Sequence, residues 1–208
     1  MVDSSSTTVP NGPGLYLPPT DLTPLAEDDA ADAILQSLVV GITGLPGNMV
    51  RPRWQLVPAP QPEAEADWCA IGVVDITPEP GTTDTQHFPG ADMNSGYSQT
   101  GEIDTLNVLC SFYGPHARGN ALLLRNGLGV PQNREALYFS NMALVEIPGR
   151  LTFTPDIVNN RTVRRADLTI NIRRSITRTW AIQNLLDSKG TITKQDGVVI
   201  PFDSANHT

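Results

Sequence analysis

The chain has 208 residues, 39% hydrophobic but only 6% aromatic, with 18 prolines, 17 glycines and a formal net charge of -8. This length buries a core within one domain plus extensions, a core resting on Leu, Ile, Val and Ala, and the density of turn formers excludes an all-helical bundle. The acidic balance excludes a surface wholly devoted to nucleic acid, and with no basic-then-apolar leader and no apolar run near 20 residues the chain is expected to be neither secreted by a standard route nor membrane-embedded.

In chain order, residues 1–22 combine Ser, Thr, Pro, Asn and Gly around Leu15-Tyr16-Leu17 and predict a flexible N-terminal arm. Over residues 24–42 the apolar positions Ala31, Ile34, Leu35, Leu38, Val39 and Ile42 trace one helical face. Thr23 and Pro24 are the expected N-cap and first helical residue, Glu27, Asp28 and Asp29 suit the positive helix end, and Gly44 and Pro46 stop the helix. Prolines 52, 58, 60 and 62 force an extended return over 49–62, and the β-rich run 68–77 predicts a strand. The polar stretch 78–101 has no convincing period and is expected as a protruding loop. Residues 102–112 place Leu106, Val108, Cys110 and Phe112 on one face of a strand that pairs with the previous one.

A helix after Gly114-Pro115 aligns Ala117, Ala121, Leu124 and Leu128, and a short helix over 133–140 follows. Strands are expected over 142–147, 151–154 and 162–176. In the last of these Ala166, Leu168, Ile170 and Ile172 alternate with Arg165, Asp167, Thr169, Asn171 and Arg173, as in a half-buried antiparallel sheet. Residues 188–208 form a C-terminal hairpin or tail, with Thr191-Ile192-Thr193 and Val198-Val199-Ile200 around a loop at 194–197. The expected fold is α+β: a single small domain over 23–187, an antiparallel or mixed sheet flanked by helices, with the N-terminal arm and the long mid-chain loop as extensions.

Charge divides the chain. Up to Cys110 the only cations are Arg51 and Arg53 against fifteen carboxylates, whereas six arginines fall between Arg161 and Arg178. Such asymmetry suits subunits stacking acidic face on basic face, and it equally suits solvated charges on exposed strands. Cys69 and Cys110 lie in apolar runs and are expected as free buried thiols. His87, His116 and His207 are the only histidines. Cys110 and His116 form no recognisable nucleophile pair, having no orienting acid beside them. Asp84, His87 and Asp92 could chelate a cation, but a solvated loop explains them better. There is no phosphate-binding loop, HExxH or CxxC, so no catalytic, metal or cofactor site is expected.

Several strings together resemble the phage neck or tail-terminator family: Gly41-Ile42-Thr43-Gly44-Leu45, Arg51-Pro52-Arg53-Trp54-Gln55, Ser111-Phe112-Tyr113-Gly114-Pro115, Asn126-Gly127-Leu128 and Pro131-Gln132-Asn133-Arg134. Arg165-Ala166-Asp167-Leu168 and Ile172-Arg173-Arg174 fit as well, and the resemblance covers roughly residues 25–185. It implies a fold similar to lambda-type tail-completion proteins, assembled as a six-subunit ring that caps the tail tube and faces the head connector. The implied partners are further copies of the chain, the tail tube protein, head-connector proteins and, in a contractile tail, the sheath, with genomic DNA passing unbound through the lumen. The implied place is the virion neck, after assembly in the host cytoplasm. The resemblance carries no catalytic residues. The interface candidates are Arg164, Arg165, Arg173, Arg174 and Arg178 on the wet side or ends of the long strand, and Arg51, Arg53 and Trp54 after the first helix, with core packing the competing role for Trp54. Other readings are a different phage connector (head-completion adaptor, tube-to-sheath connector or baseplate initiator), a DNA-binding module using the arginine strand, and a cysteine hydrolase built on Cys110 and His116.

Overall fold

In the computed structural model the first apolar stripe becomes helix α1 (Asp28–Thr43), which buries Ala31, Leu35, Leu38 and Val39. The structure describes residues 17–20, 27–55, 57, 59–89, 95–146, 149–158, 160–182, 189–195 and 197–203. The helix opens later than expected, with Glu27 extended at the N-cap position, while Thr23 and Pro24 lie outside the described residues, as does most of the N-terminal arm. Asp28 and Asp29 sit in the first turn, where the helix dipole favours them. Gly44 closes the helix in the left-handed region at φ 72°, its N–H donating to the Val40 carbonyl.

The strands are β1 (Val50–Pro52), β2 (Trp68–Pro78), β3 (Thr83–His87), β4 (Gly96–Tyr113), β5 (Met142–Glu146), β6 (Leu151–Val158), β7 (Arg161–Ile182), β8 (Lys189–Thr193) and β9 (Val199–Asp203). Two further helices, α2 (Ala117–Gly127) and α3 (Pro131–Tyr138), lie between β4 and β5. Seven strands form one mixed sheet in the order β1-β2-β4-β7-β5, with β3 also on β4 and β6 also on β7. β1 runs parallel to β2, and β2 pairs antiparallel with β4, Trp68 opposite Tyr113. The fold is thus α+β.

The chain separates into two compact units, the larger from Thr23–Thr82 and Glu102–Ile176. Its core joins Cys69 and Ile71 of β2, Leu106, Val108, Cys110 and Phe112 of β4, and Ala166, Leu168, Ile170 and Ile172 of β7 to the apolar sides of the helices. Ala117, Ala121, Leu124 and Leu128 belong to the same core. Helices therefore cover one face of this sheet, as the alternating pattern requires.

The smaller unit holds the described parts of residues 1–22, 83–101 and 177–208. Within it β3 pairs antiparallel with β4, Thr83 opposite Gly101, and β8 pairs with β9. The expectation of a loop over 78–101 is corrected here, since that stretch is strand at both ends. Its period was invisible because four of the five β3 side chains are exposed, so no apolar face marks it and pairing with β4 defines it. β6 likewise runs four residues beyond its expected end, through Pro155 and Asp156, by pairing with Arg161–Leu168.

Candidate subunit-interface surface

The sheet face opposite the helices carries Arg53, Arg165 and Arg173 among the interface candidates, and the others lie elsewhere. Just past the parallel pairing of β1 with β2, the Arg53 N–H donates to the Ile71 carbonyl and the residue lies beside Gly72, where an added Cβ would stand 3.0 Å from the Arg53 Cβ. The Arg53 guanidinium donates to Ser111 Oγ at 2.6 Å, and its Nε is buried with no partner among the described residues. Arg51 donates to the carbonyls of Asn48 and Pro60, pinning the proline-rich return. Both arginines are therefore held by contacts within the chain. Trp54 donates from Nε1 to the Val73 carbonyl at 3.1 Å and leaves its ring 67% exposed, so core packing is not its role.

Along β7 the arginines diverge. Arg165 donates to Asp167 at 2.9 Å and to Asp156 at 3.3 Å, and its guanidinium lies 5.7 Å from the Tyr113 ring. The hydrogen bond to Asp167 raises its pKa against the desolvation that lowers it. Tyr113 stacks on Trp68 at 4.3 Å, and burial pushes its hydroxyl pKa up. Arg173 donates to Glu79 at 2.8 Å; that hydrogen bond, joined by one from Thr105, holds the Glu79 carboxyl below its ordinary range. Arg164 is exposed and, among the described residues, donates only to the Pro115 carbonyl, at 3.3 Å. Arg178 is part-buried in the smaller unit.

Arg174 corrects the expectation of a wet position. It has the parity of Ile170 and Ile172, so it points to the helix-covered face, is 5% exposed, and donates to Asp104 at 2.9 Å. Asp104 shares the parity of Leu106 through Phe112, which places the two charges together at one end of the apolar rows. The arginine series is therefore not a single exposed face.

Sequence reasoning missed a surface feature nearby. Arg118, in the first turn of α2, lies 5.3 Å from the centre of the Phe153 ring on β6. Together with Arg164, Pro115, Pro155 and Val163 these residues line a cavity of about 620 Å³. Alternation along β6 could have placed Phe153 on this side, but nothing local links it to Arg118. Tyr138 and Phe139, at the end of α3, are 78% and 85% exposed, a second feature that periodicity alone did not single out.

The chemical candidates do not assemble into a reaction centre. Cys110 faces the core beside Cys69; both thiols are free, and burial, then a hydrogen bond with Cys110, pushes the Cys69 thiol well above its usual pKa. His116 does have an orienting acid, contrary to expectation: Asp67 accepts from its backbone N–H at 2.8 Å and meets Nδ1 at 2.7 Å. The partner was invisible in sequence because it lies 49 residues away. His116 is exposed while Cys110 is wholly buried, so the pair cannot act as nucleophile and base. Asp84 and His87 are three apart on β3 and point to opposite faces; Asp92 lies outside the described residues. Among the described residues no His, Cys, Asp and Glu cluster could hold a metal ion, and no helix is long and apolar enough to cross a membrane.

The strings that carried the family resemblance turn out to serve packing. Gly114, at φ 108°, lets the chain pass Ala66, whose carbonyl oxygen would stand 2.5 Å from an added Cβ. Gly127 brings α2 against Ile42 of α1, where a Cβ would collide with the Ile42 methyl, and Asn133 donates to the Gly127 carbonyl. No individual curated protein matches the chain. The family model for phage neck terminator proteins matches residues 29–197, which takes in β4, β7, α2, α3, nearly all of α1 and the glycines just described. The chain belongs to the phage neck terminator protein family, a family of structural virion proteins.

Proposed function

We propose that this neck protein works as a homo-oligomeric, six-subunit ring that ends the tail tube and presents a docking face to the head connector. The observation that carries this reading is the family match over residues 29–197. The chemistry supports it, because the described residues offer surfaces and no reaction centre. Its partners on this reading are further copies of the chain, the tail tube protein, head-connector proteins and, in a contractile tail, the sheath. DNA passes through the lumen without specific binding. Of the residues proposed for contacts, Arg164 and Trp54 have the most to offer a neighbour, since the other described arginines of the set are largely committed within the subunit or part-buried. The arginine-track reading loses support for the same reason, as Arg165, Arg173 and Arg174 are paired with carboxylates.

Negative-stain imaging and native mass spectrometry of the purified protein, alone and with its tail tube protein, test the reading. A closed ring of six copies capping tube ends is expected. A chain that stays monomeric beside the tube sinks it.

A further inference from the structure

We propose that the Arg118–Arg164 cavity of one subunit receives the acidic first turn of α1 from a second copy of this chain, a contact resting on the ring reading above. Neither Arg118 nor Arg164 has an ion pair with a carboxylate among the described residues, although Arg165 beside them has two. Arg118 is steadied over the Phe153 ring and Arg164 by the Pro115 carbonyl, so both guanidiniums are positioned in advance with no carboxylate among the described residues to neutralise them. Phe153, 51% exposed, and Pro155 supply an apolar shelf, which suits a peptide segment better than a bare phosphate.

The complementary surplus lies elsewhere on the same compact unit. Asp28 and Asp29 are exposed, and Asp32 behind them has its pKa raised by burial and then by the charges of Asp29 and Asp28, so these acids repel one another. Trp54 borders the same recess with an open ring face, a second attraction for an incoming guanidinium. Strand register separates the two surfaces. Leu106 of β4 borders the acidic recess, whereas Tyr113 lies beside Arg165 at the other surface, seven residues or roughly 23 Å further along the strand. Opposite charges at separated positions on one body make a head-to-tail contact, the kind that closes into rings.

The test compares four forms of the full chain by native mass spectrometry in the presence of the tail tube protein. One carries Arg118→Glu and Arg164→Glu. Another carries Asp28→Asn and Asp29→Arg, asparagine being chosen because Asp28 sits at φ 45°. All these positions are exposed, and thermal melts confirm folding. Wild type is expected to oligomerise, and each one-sided variant to associate at least about tenfold more weakly. Mixing the two variants should restore oligomers holding equal numbers of each, because one contact is wild type and the next is doubly reversed. The four-substitution form should also assemble. If wild type assembles and the variants do so undiminished, this contact is wrong and the ring stands. If the arginine variant fails and mixing does not rescue it, the arginines take some other anion, DNA included, and the second-copy assignment falls. A monomeric wild type overturns the ring reading and this contact with it.

Discussion

On the helix-covered face of the larger unit's sheet, Leu106, Val108, Cys110 and Phe112 of β4 and Ala166, Leu168, Ile170 and Ile172 of β7 are all wholly buried. One residue along on the same strands, the opposite face carries mainly polar side chains, Thr105, Asn107, Ser111, Arg165, Asp167, Thr169 and Arg173, beside a small apolar cluster that buries Tyr113 and Val163. The first face draws its stability from transfer out of water, about 1.5–3 kcal/mol for each large aliphatic side chain. The second is joined by hydrogen bonds and ion pairs that substitute for water and contribute far less each. Most of the apolar burial therefore lies on one side of the strands, and the other side is the one that tolerates substitution more readily.

The sharpest break in this comparison comes from neighbouring substitutions on β7. Leu168→Ala should cost about 3 kcal/mol by opening a cavity in a closed core, whereas Thr169→Ala should cost under about 0.5 kcal/mol. Urea denaturation of the two variants measures both, and equal costs would mean that the faces do not differ as described.

The next effect tests the one place where the dry face holds charge. Asp104→Asn weakens the buried pairing of Arg174 and is expected to cost roughly 2–3 kcal/mol, while the double replacement Asp104→Leu with Arg174→Met should recover most of it. Additive losses in the double variant would show that the pair adds stability beyond what apolar packing supplies. A smaller cost, about 1–2 kcal/mol, is expected for Gly127→Ala. Its sign is informative, because glycine to alanine in a helix otherwise tends to stabilise. Ile42→Ala should relieve the clash, so the two substitutions together should cost less than their sum.

The helix-covered face was legible in the sequence wherever apolar spacing reported it. The stripe of α1, that of α2 and the alternating rows of β4 and β7 all point inward at the expected residues. Parity along β7 also contained the position of Arg174, although its charge argued for water and concealed it. Other features depend on contacts between distant segments. β3 has no apolar face to announce it, Asp67 reaches His116 across 49 residues, and Arg118 meets Phe153 only after α2 and β6 fold together. Charge asymmetry in the sequence pointed to the idea of complementary surfaces. Which arginines remain uncommitted could be decided only from their partners.

The smallest effect lies on the open face and depends on pH. The Glu79 carboxyl is held below the ordinary glutamate range, first by the hydrogen bond from Arg173 and then by that from Thr105. A carboxyl with a lowered folded-state pKa contributes stability that is fully present above the unfolded value and lost as pH falls through the folded one. Glu79→Gln removes the charge while keeping an acceptor for both donors. Wild type should therefore show the higher urea midpoint near neutrality, with the gap closing as pH drops from about 5 through the acid limb. Arg173→Gln should produce the same flattening, since it removes the first cause of the shift. A gap that persists unchanged below the folded pKa would assign the stabilisation to a difference between the carboxyl and amide heads other than charge and remove the ion pair from the account of this face.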